Sequence, residues 1–184
     1  MLSITRKCFA KMRMLCESSY LEVAGMALCK SDIIYGFTLT EYIGNHLIGN
    51  DLSDISTKTN VVSDVIKLTQ MQKEARKQQG ILVDWHSHNS MPAFWSSTDE
   101  NNIKTFPNEH TLISIVTNHK GEVLLRKDTS YFTGIETRKY PSFALIGKPI
   151  SNKEANKFIK EVEEYYLKIK EIINKWIQQD NNTT

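Results

Sequence analysis

Residues 81–99 read Ile81-Leu82-Val83-Asp84-Trp85-His86-Ser87-His88-Asn89-Ser90-Met91-Pro92-Ala93-Phe94-Trp95-Ser96-Ser97-Thr98-Asp99, and two imidazoles, a hydroxyl and a carboxylate fall inside this one run. Ile81-Leu82-Val83 follows Gly80 and is β-branched at both ends, the composition of a buried strand. If that strand continues through His88, its period of two points His86 and His88 out of the same face, close enough to share one ion. The chain must then turn between Asn89 and Trp95, where Pro92 and small polar residues permit it. Ser96 to Ile103 has the hydroxyls and acids of a helix start. Residues three apart share a helix face, so Ser96 and Asp99 can both look back toward the histidines.

Two neutral imidazoles and one carboxylate form a borderline-soft ligand set suited to tetrahedral zinc, with the fourth position left to water. That is the catalytic form of a zinc site; a structural site is closed by four ligands, mostly cysteine. Zinc lowers the pKa of bound water from 15.7 to about 7, so a nucleophile exists at neutral pH.

His86-Ser87-His88, seven further residues, Ser96, two residues and Asp99 resemble the metalloprotease signature of the JAMM (MPN, JAB) family. That family also carries an upstream glutamate near a glycine, and Leu21-Glu22-Val23-Ala24-Gly25-Met26-Ala27-Leu28 fits this element. The resemblance implies that His86, His88 and Asp99 bind zinc, that Glu22 is general base and acid on the attacking water, and that Ser96 steadies the oxyanion. It covers roughly residues Ile4 to Gly134 in order of elements. Two positions depart from the pattern: the usual glycine before the aromatic is Asp84, and the usual proline after the second histidine is Asn89.

Each residue also has an ordinary reading. A His-x-His pair is often a polar strand face, and Ser96-x-x-Asp99 is a helix cap that can be a ligand at the same time. Glu22 alone reads as a solvated strand residue, so its role rests on the resemblance.

The chain has 184 residues, 40% hydrophobic and 24% charged, ordinary values for a soluble domain long enough to bury a sizeable core. Its 23 basic residues nearly balance 21 acidic ones, leaving +2 and no call for nucleic acid. Cys8, Cys16 and Cys29 are odd in number, without Cys-x-x-Cys spacing, and read as reduced thiols in a cytoplasmic compartment. No run approaches the roughly 18 apolar residues of a membrane span, and the basic, acid-free Met1 to Met14 starts the domain rather than a transit peptide.

The expected architecture is α/β: a single JAMM/MPN-type (cytidine-deaminase-like) domain over residues 1–140, with a mixed β-sheet flanked by helices. A linker at 141–150, a long C-terminal helix at 151–179 and a disordered tail at 180–184 follow. Phe9, Met12 and Cys16 predict a short helix over Arg6 to Ser18. Leu21–Cys29 and Asp32–Thr40 form a hairpin carrying Glu22 on an inner sheet. Glu41 to Asn60 reads as loop, and His46 in it is a surface histidine more readily than an accessory ligand. Val61, Val65, Leu68, Met71 and Ala75 make a helical stripe with Gly80 as its stop, and a helix between two strands implies a crossover in a mixed sheet. Thr111–Thr117 and Glu122–Arg126 form a second hairpin around a turn glycine, with His110 and His119 as non-ligands. Tyr131 to Glu136 adds a further strand. Ser151-Asn152-Lys153-Glu154 is a capping box opening the last helix. That helix either folds back over the domain or presents Trp176 and its neighbours to a second subunit or partner, and Glu164–Lys168 and Glu171–Lys175 are spaced to support its outer face.

The resemblance implies a zinc-dependent amide hydrolase, peptidase or isopeptidase. Its substrates would be ubiquitin-like proteins or their tails, or bacteriophage assembly proteins, which would place it in host cytoplasm or virion. The loop with Met91, Phe94 and Trp95 would wall the substrate groove, unless Phe94 and Trp95 plug the core below the site. A zinc nucleobase deaminase would need His-x-Glu and Pro-Cys-x-x-Cys, both absent, and a β/α barrel about 250 residues. The competing class is a non-catalytic scaffold of the same fold, recruited through the C-terminal helix.

Overall fold

The computed structural model describes residues 1–18, 22–39, 41–43, 62–63, 65–88, 90–104 and 110–181. His46, most of the 41–60 loop and the last three residues of the expected tail lie outside the described residues. Among the described residues, four helices flank a mixed eight-stranded sheet of order β10-β1-β3-β2-β6-β7-β8-β9. Its strands are β1 (Ser3–Thr5), β2 (Ala24–Lys30), β3 (Ile33–Leu39), β6 (Ile81–Ser87), β7 (Thr111–Thr117), β8 (Val123–Tyr131), β9 (Gly134–Tyr140) and β10 (Ala144–Ile146). A separate two-stranded sheet pairs β4 (Glu41–Ile43) with β5 (Val62–Ser63). The expected α/β architecture is the observed one. The crossover inferred from the helix before the histidine strand connects β3 to β6, which run parallel on either side of β2, and the sheet is mixed, with β6–β7 and β1–β3 also paired in parallel.

Period-two alternation sorts the central strands into two faces. Val83 and Trp85 of β6 stand beside Ile113 and Ile115 of β7, and all four are fully buried. This face carries α1 (Arg6–Ser18), whose Cys8, Met12, Leu15 and Cys16 form the buried stripe. Thr5 Oγ1 caps α1 by accepting from Cys8 N at 3.3 Å. Phe158 from α4 (Asn152–Asn181) closes the same core against the Phe37 ring. The other face carries the polar side chains of Asp84 and His86 of β6, Ser114 of β7 and Arg126 and Asp128 of β8.

The local chemistry of the ends explains several boundaries. The β2–β3 hairpin turns through Ser31 and Asp32, both with positive φ (51° and 61°), the two-residue type I′ geometry that matches strand twist. Helix α2 (Val65–Lys77) starts later than the stripe from Val61 suggests, because Val62–Ser63 is taken up by pairing with β4. It ends in a Schellman motif, Gly80 N→Ala75 O at 2.8 Å and Gln79 N→Arg76 O at 3.1 Å. The left-handed residue is Gln79 (φ 54°) rather than Gly80. Gly80 is needed for another reason: a Cβ there would stand 3.0 Å from the Cys29 carbonyl oxygen.

β9 begins at Gly134 rather than Tyr131, since β8 runs on to Tyr131 and the chain reverses at Phe132–Thr133. The stretch 141–150 holds β10, which pairs in parallel with β1. Neither strand is legible in the sequence, because three residues are too few to display an alternation. The capping box at the head of α4 is formed, Ser151 Oγ donating to Glu154 Oε2 at 2.8 Å and Glu154 N to Ser151 Oγ at 3.3 Å. On its outer face the observed pairs are Lys157–Glu161 and Lys160–Glu164, while Lys168, Lys175 and Trp176 have side chains outside the described residues.

Candidate metal centre

The site lies where β6 runs out. Ser87, the last strand residue, points into the core and fastens the end of β6 to the start of β2: its Oγ accepts from Val23 N at 3.1 Å and its N donates to Val23 O at 2.9 Å. His88 N donates to Thr117 O of β7 at 2.8 Å, so the chain stays strand-like one residue past β6. His86 and His88 therefore project from the same face, as the period of two requires, with their Nε2 atoms 3.1 Å apart. Ala24 pairs with His86, and continuing that antiparallel register places Glu22 across from His88. Glu22 is 5% exposed.

Asp99 arrives on the first turn of α3 (Ser97–Lys104). Its Oδ2 accepts from both Ser96 N and Ser96 Oγ at 2.7 Å, and Ser96 Oγ accepts from Asp99 N at 3.2 Å. This reciprocal cap leaves Oδ1 toward His86 Nε2, 3.4 Å away. His86, His88 and Asp99 each present one ligand atom within 4.8 Å of the others. Donors about 2.0–2.1 Å from a tetrahedral centre stand roughly 3.3 Å apart, so the 3.1 and 3.4 Å separations fit zinc, as does the N2O donor set. His110 and His119 stand outside the cluster.

The electrostatics follow from burial and neighbours. Burial pushes Glu22 up to about 7, the His86 charge opposing and the Asp99 charge adding to the rise. Burial works against ionised Asp99, yet hydrogen bonds from His86 and Ser96 hold it well below the usual carboxylate range. Burial also disfavours charged His86, but Asp99, Asp84 and Glu22 together raise it, whereas burial and the His86 charge lower His88. Asp84, standing where the resembled pattern has glycine, lies in the sheet between Met26 and Ser114 and is raised by burial.

The loop after His88 is fixed by bonds that spacing could not reveal. His88 Nδ1 faces Pro92 O at 3.3 Å, and the Phe94 ring meets the His88 ring edge-on at 4.6 Å. Phe94 is 45% exposed, so it covers the histidine and does not plug the core. Trp95 lies against the guanidinium of Arg126, 4.0 Å from its ring. Arg126 is buried, donates to Glu100 Oε1 at 2.6 Å and stands 3.1 Å from Asp128, tying the helix that carries Asp99 to β8. A separate cleft of about 500 Å³ between α1, β3 and the start of α4 includes none of the candidate ligands.

The mixed α/β domain thus brings two histidines and an aspartate close enough to hold one metal ion, with a buried glutamate across from His88. The chain is a member of the prokaryotic homologs of the JAB domain, whose family model matches residues 8–127, more than half of its length. Among solved structures it is similar to the solution structure of protein DSY2949 from Desulfitobacterium hafniense, with a TM-score of 0.51 and 14% identity over 81% of this chain and 95% of that one. At that identity the likeness concerns the fold alone. No curated protein matches the chain. Among the described residues no helix is long and apolar enough to cross a membrane.

Proposed function

We propose that the protein is a zinc-dependent amide hydrolase, a peptidase or isopeptidase, with His86, His88 and Asp99 as the metal ligands. The observation that carries this is the convergence of those three ligand atoms beside a buried glutamate whose pKa is pushed to about 7. The JAB-domain family includes zinc-dependent isopeptidases, which supports the same reading. Zinc held by these three residues would supply Lewis-acid chemistry for the scissile carbonyl and make water a better nucleophile at neutral pH.

The chain's own groups do the rest. Glu22, poised near neutral pH, takes the proton of the attacking water and returns it to the leaving amine. Ser96 holds Asp99 through its hydroxyl, and by turning that hydroxyl away from Oδ2 it can donate to the developing oxyanion, a contact whose loss costs about 2.7–4 kcal/mol. Met91 and Phe94, both exposed beside His88, wall the groove for an extended protein or peptide substrate, of which a ubiquitin-like tail is one class and a phage assembly protein another. A non-catalytic scaffold has no use for a desolvated glutamate next to a ligand set, and Glu22 favours the enzyme.

The test is cleavage of ubiquitin-like isopeptide and linear fusions by zinc-loaded protein. Glu22→Gln is expected to keep zinc and lose cleavage; cleavage surviving in that variant removes Glu22 as the base. Contact between α4 and a second copy of the chain is part of the proposal. A chain ending after Leu167, compared by light scattering with the full chain, decides it, since a monomer in both cases excludes such contact.

A further inference from the structure

The peptide group joining Pro92 to Ala93 is held from both sides. Its carbonyl faces His88 Nδ1 at 3.3 Å, and its N–H donates to Glu122 Oε2 at 2.8 Å. A carbonyl oxygen can only accept, so this contact requires the hydrogen on Nδ1 and leaves the Nε2 lone pair of the neutral ring free. Nε2 is the atom that stands 3.1 Å from His86 Nε2. A trans peptide is planar and conjugated, with C=O and N–H pointing to opposite sides. A carboxylate accepting from the N–H therefore polarises the group and strengthens the carbonyl as an acceptor.

Glu122 is itself fixed. Its Oε2 also accepts from Asn118 Nδ2 at 2.6 Å, and its N donates to Asn118 Oδ1 at 3.0 Å. Asn118 is fully buried, gives its Nδ2 to Met91 O at 2.8 Å as well, and has its own carbonyl held by Arg13 Nη1 at 2.6 Å. The β7–β8 turn thus grips the loop after His88 at two successive points, Met91 O and Ala93 N.

We propose that Glu122 is a positioning residue for the metal centre: through the Pro92–Ala93 peptide its carboxylate selects the Nδ1–H tautomer of His88 and aims Nε2 at the cation. This rests on reading His88 as a ligand. Ligating histidines generally donate their second ring N–H to a carbonyl or carboxylate, and loss of such outer partners weakens metal binding about 10–100-fold. Here the carboxylate acts one peptide removed from the ring.

The experiment uses the full chain, wild type, Glu122→Gln and Glu122→Ala, with two readouts. Competition with a chromophoric chelator gives zinc affinity, and ¹⁵N shifts of the His88 ring in metal-free protein give its tautomer. Glu122→Ala is expected to weaken zinc by about tenfold or more and to shift the ring toward Nε2–H. Glu122→Gln keeps an acceptor for Ala93 N but loses the charge, and both readouts should move part of the way. A folded variant of either kind with wild-type affinity and wild-type ring shifts overturns the proposal, even if its melting temperature falls, because a purely structural role would do that. If Glu122→Ala does not fold, Glu122→Gln decides alone by the same criterion. Wild-type protein that binds no zinc defeats the metal reading instead, and the metal-free ring shifts still decide what Glu122 does to His88.

Discussion

Ser96 and Asp99 satisfy each other: one carboxylate oxygen of Asp99 takes both the backbone N–H and the hydroxyl of Ser96, and the other is left facing His86. A helix cap and a candidate ligand are thus one structure. Ser96→Ala removes the hydroxyl and should cost about 1 kcal/mol of stability while weakening zinc binding, since Oδ1 loses its fixed direction. Thermal melts with and without zinc read both effects, and a variant that loses stability but binds zinc as before would separate the two roles.

Glu22 makes the metal-free protein less stable in a defined pH window. Its pKa rises from 4.5 to about 7 on folding, so the folded state holds the proton more tightly than the unfolded state. Stability contributed by the protonated group is complete below about 4.5 and is lost as pH rises through about 7. Glu22→Gln should therefore stabilise the metal-free chain at pH 8 by on the order of 3 kcal/mol, several degrees in Tm. The gain should vanish near pH 4. Equal stability at pH 8 would show that Glu22 is not desolvated.

Gln79 occupies the left-handed position that closes α2, where a side chain is strained. Gln79→Gly is expected to raise stability by about 0.5–1 kcal/mol in urea unfolding. Gly80→Ala should lower it, because the new Cβ meets the Cys29 carbonyl.

Arg126 is buried between Glu100, Asp128 and the Trp95 ring. Arg126→Met leaves Asp128 buried with only the Thr137 hydroxyl, 2.6 Å away, as a described partner. The expected loss is about 3–5 kcal/mol, measured by urea unfolding of metal-free protein. A loss below about 1 kcal/mol would mean that the guanidinium does not anchor α3.

What could be read in advance was whatever repeats along the chain or carries a local signature. The His86–His88 alternation, the Ser96-x-x-Asp99 cap and the Ser151 capping box are each contained within a few residues, and each formed as expected. β1 and β10 were illegible because three residues show no period, and their pairing joins positions at opposite ends of the domain. Trp95–Arg126 and Ala93–Glu122 were hidden for the same physical reason: each bond exists only once β8 is laid beside the loop, and nothing in either local sequence marks it. Glu22 lay between these cases. Its place near the ligand set follows from the β2–β6 register, which the family resemblance anticipated and spacing alone did not.

The central claim is that His86, His88 and Asp99 hold one zinc ion. Elemental analysis of purified full chain, beside His88→Ala and Asp99→Ala, measures this directly. One zinc per wild-type chain and a small fraction of that in either variant is the predicted result; wild-type protein without zinc, or variants that retain a full equivalent, would contradict it.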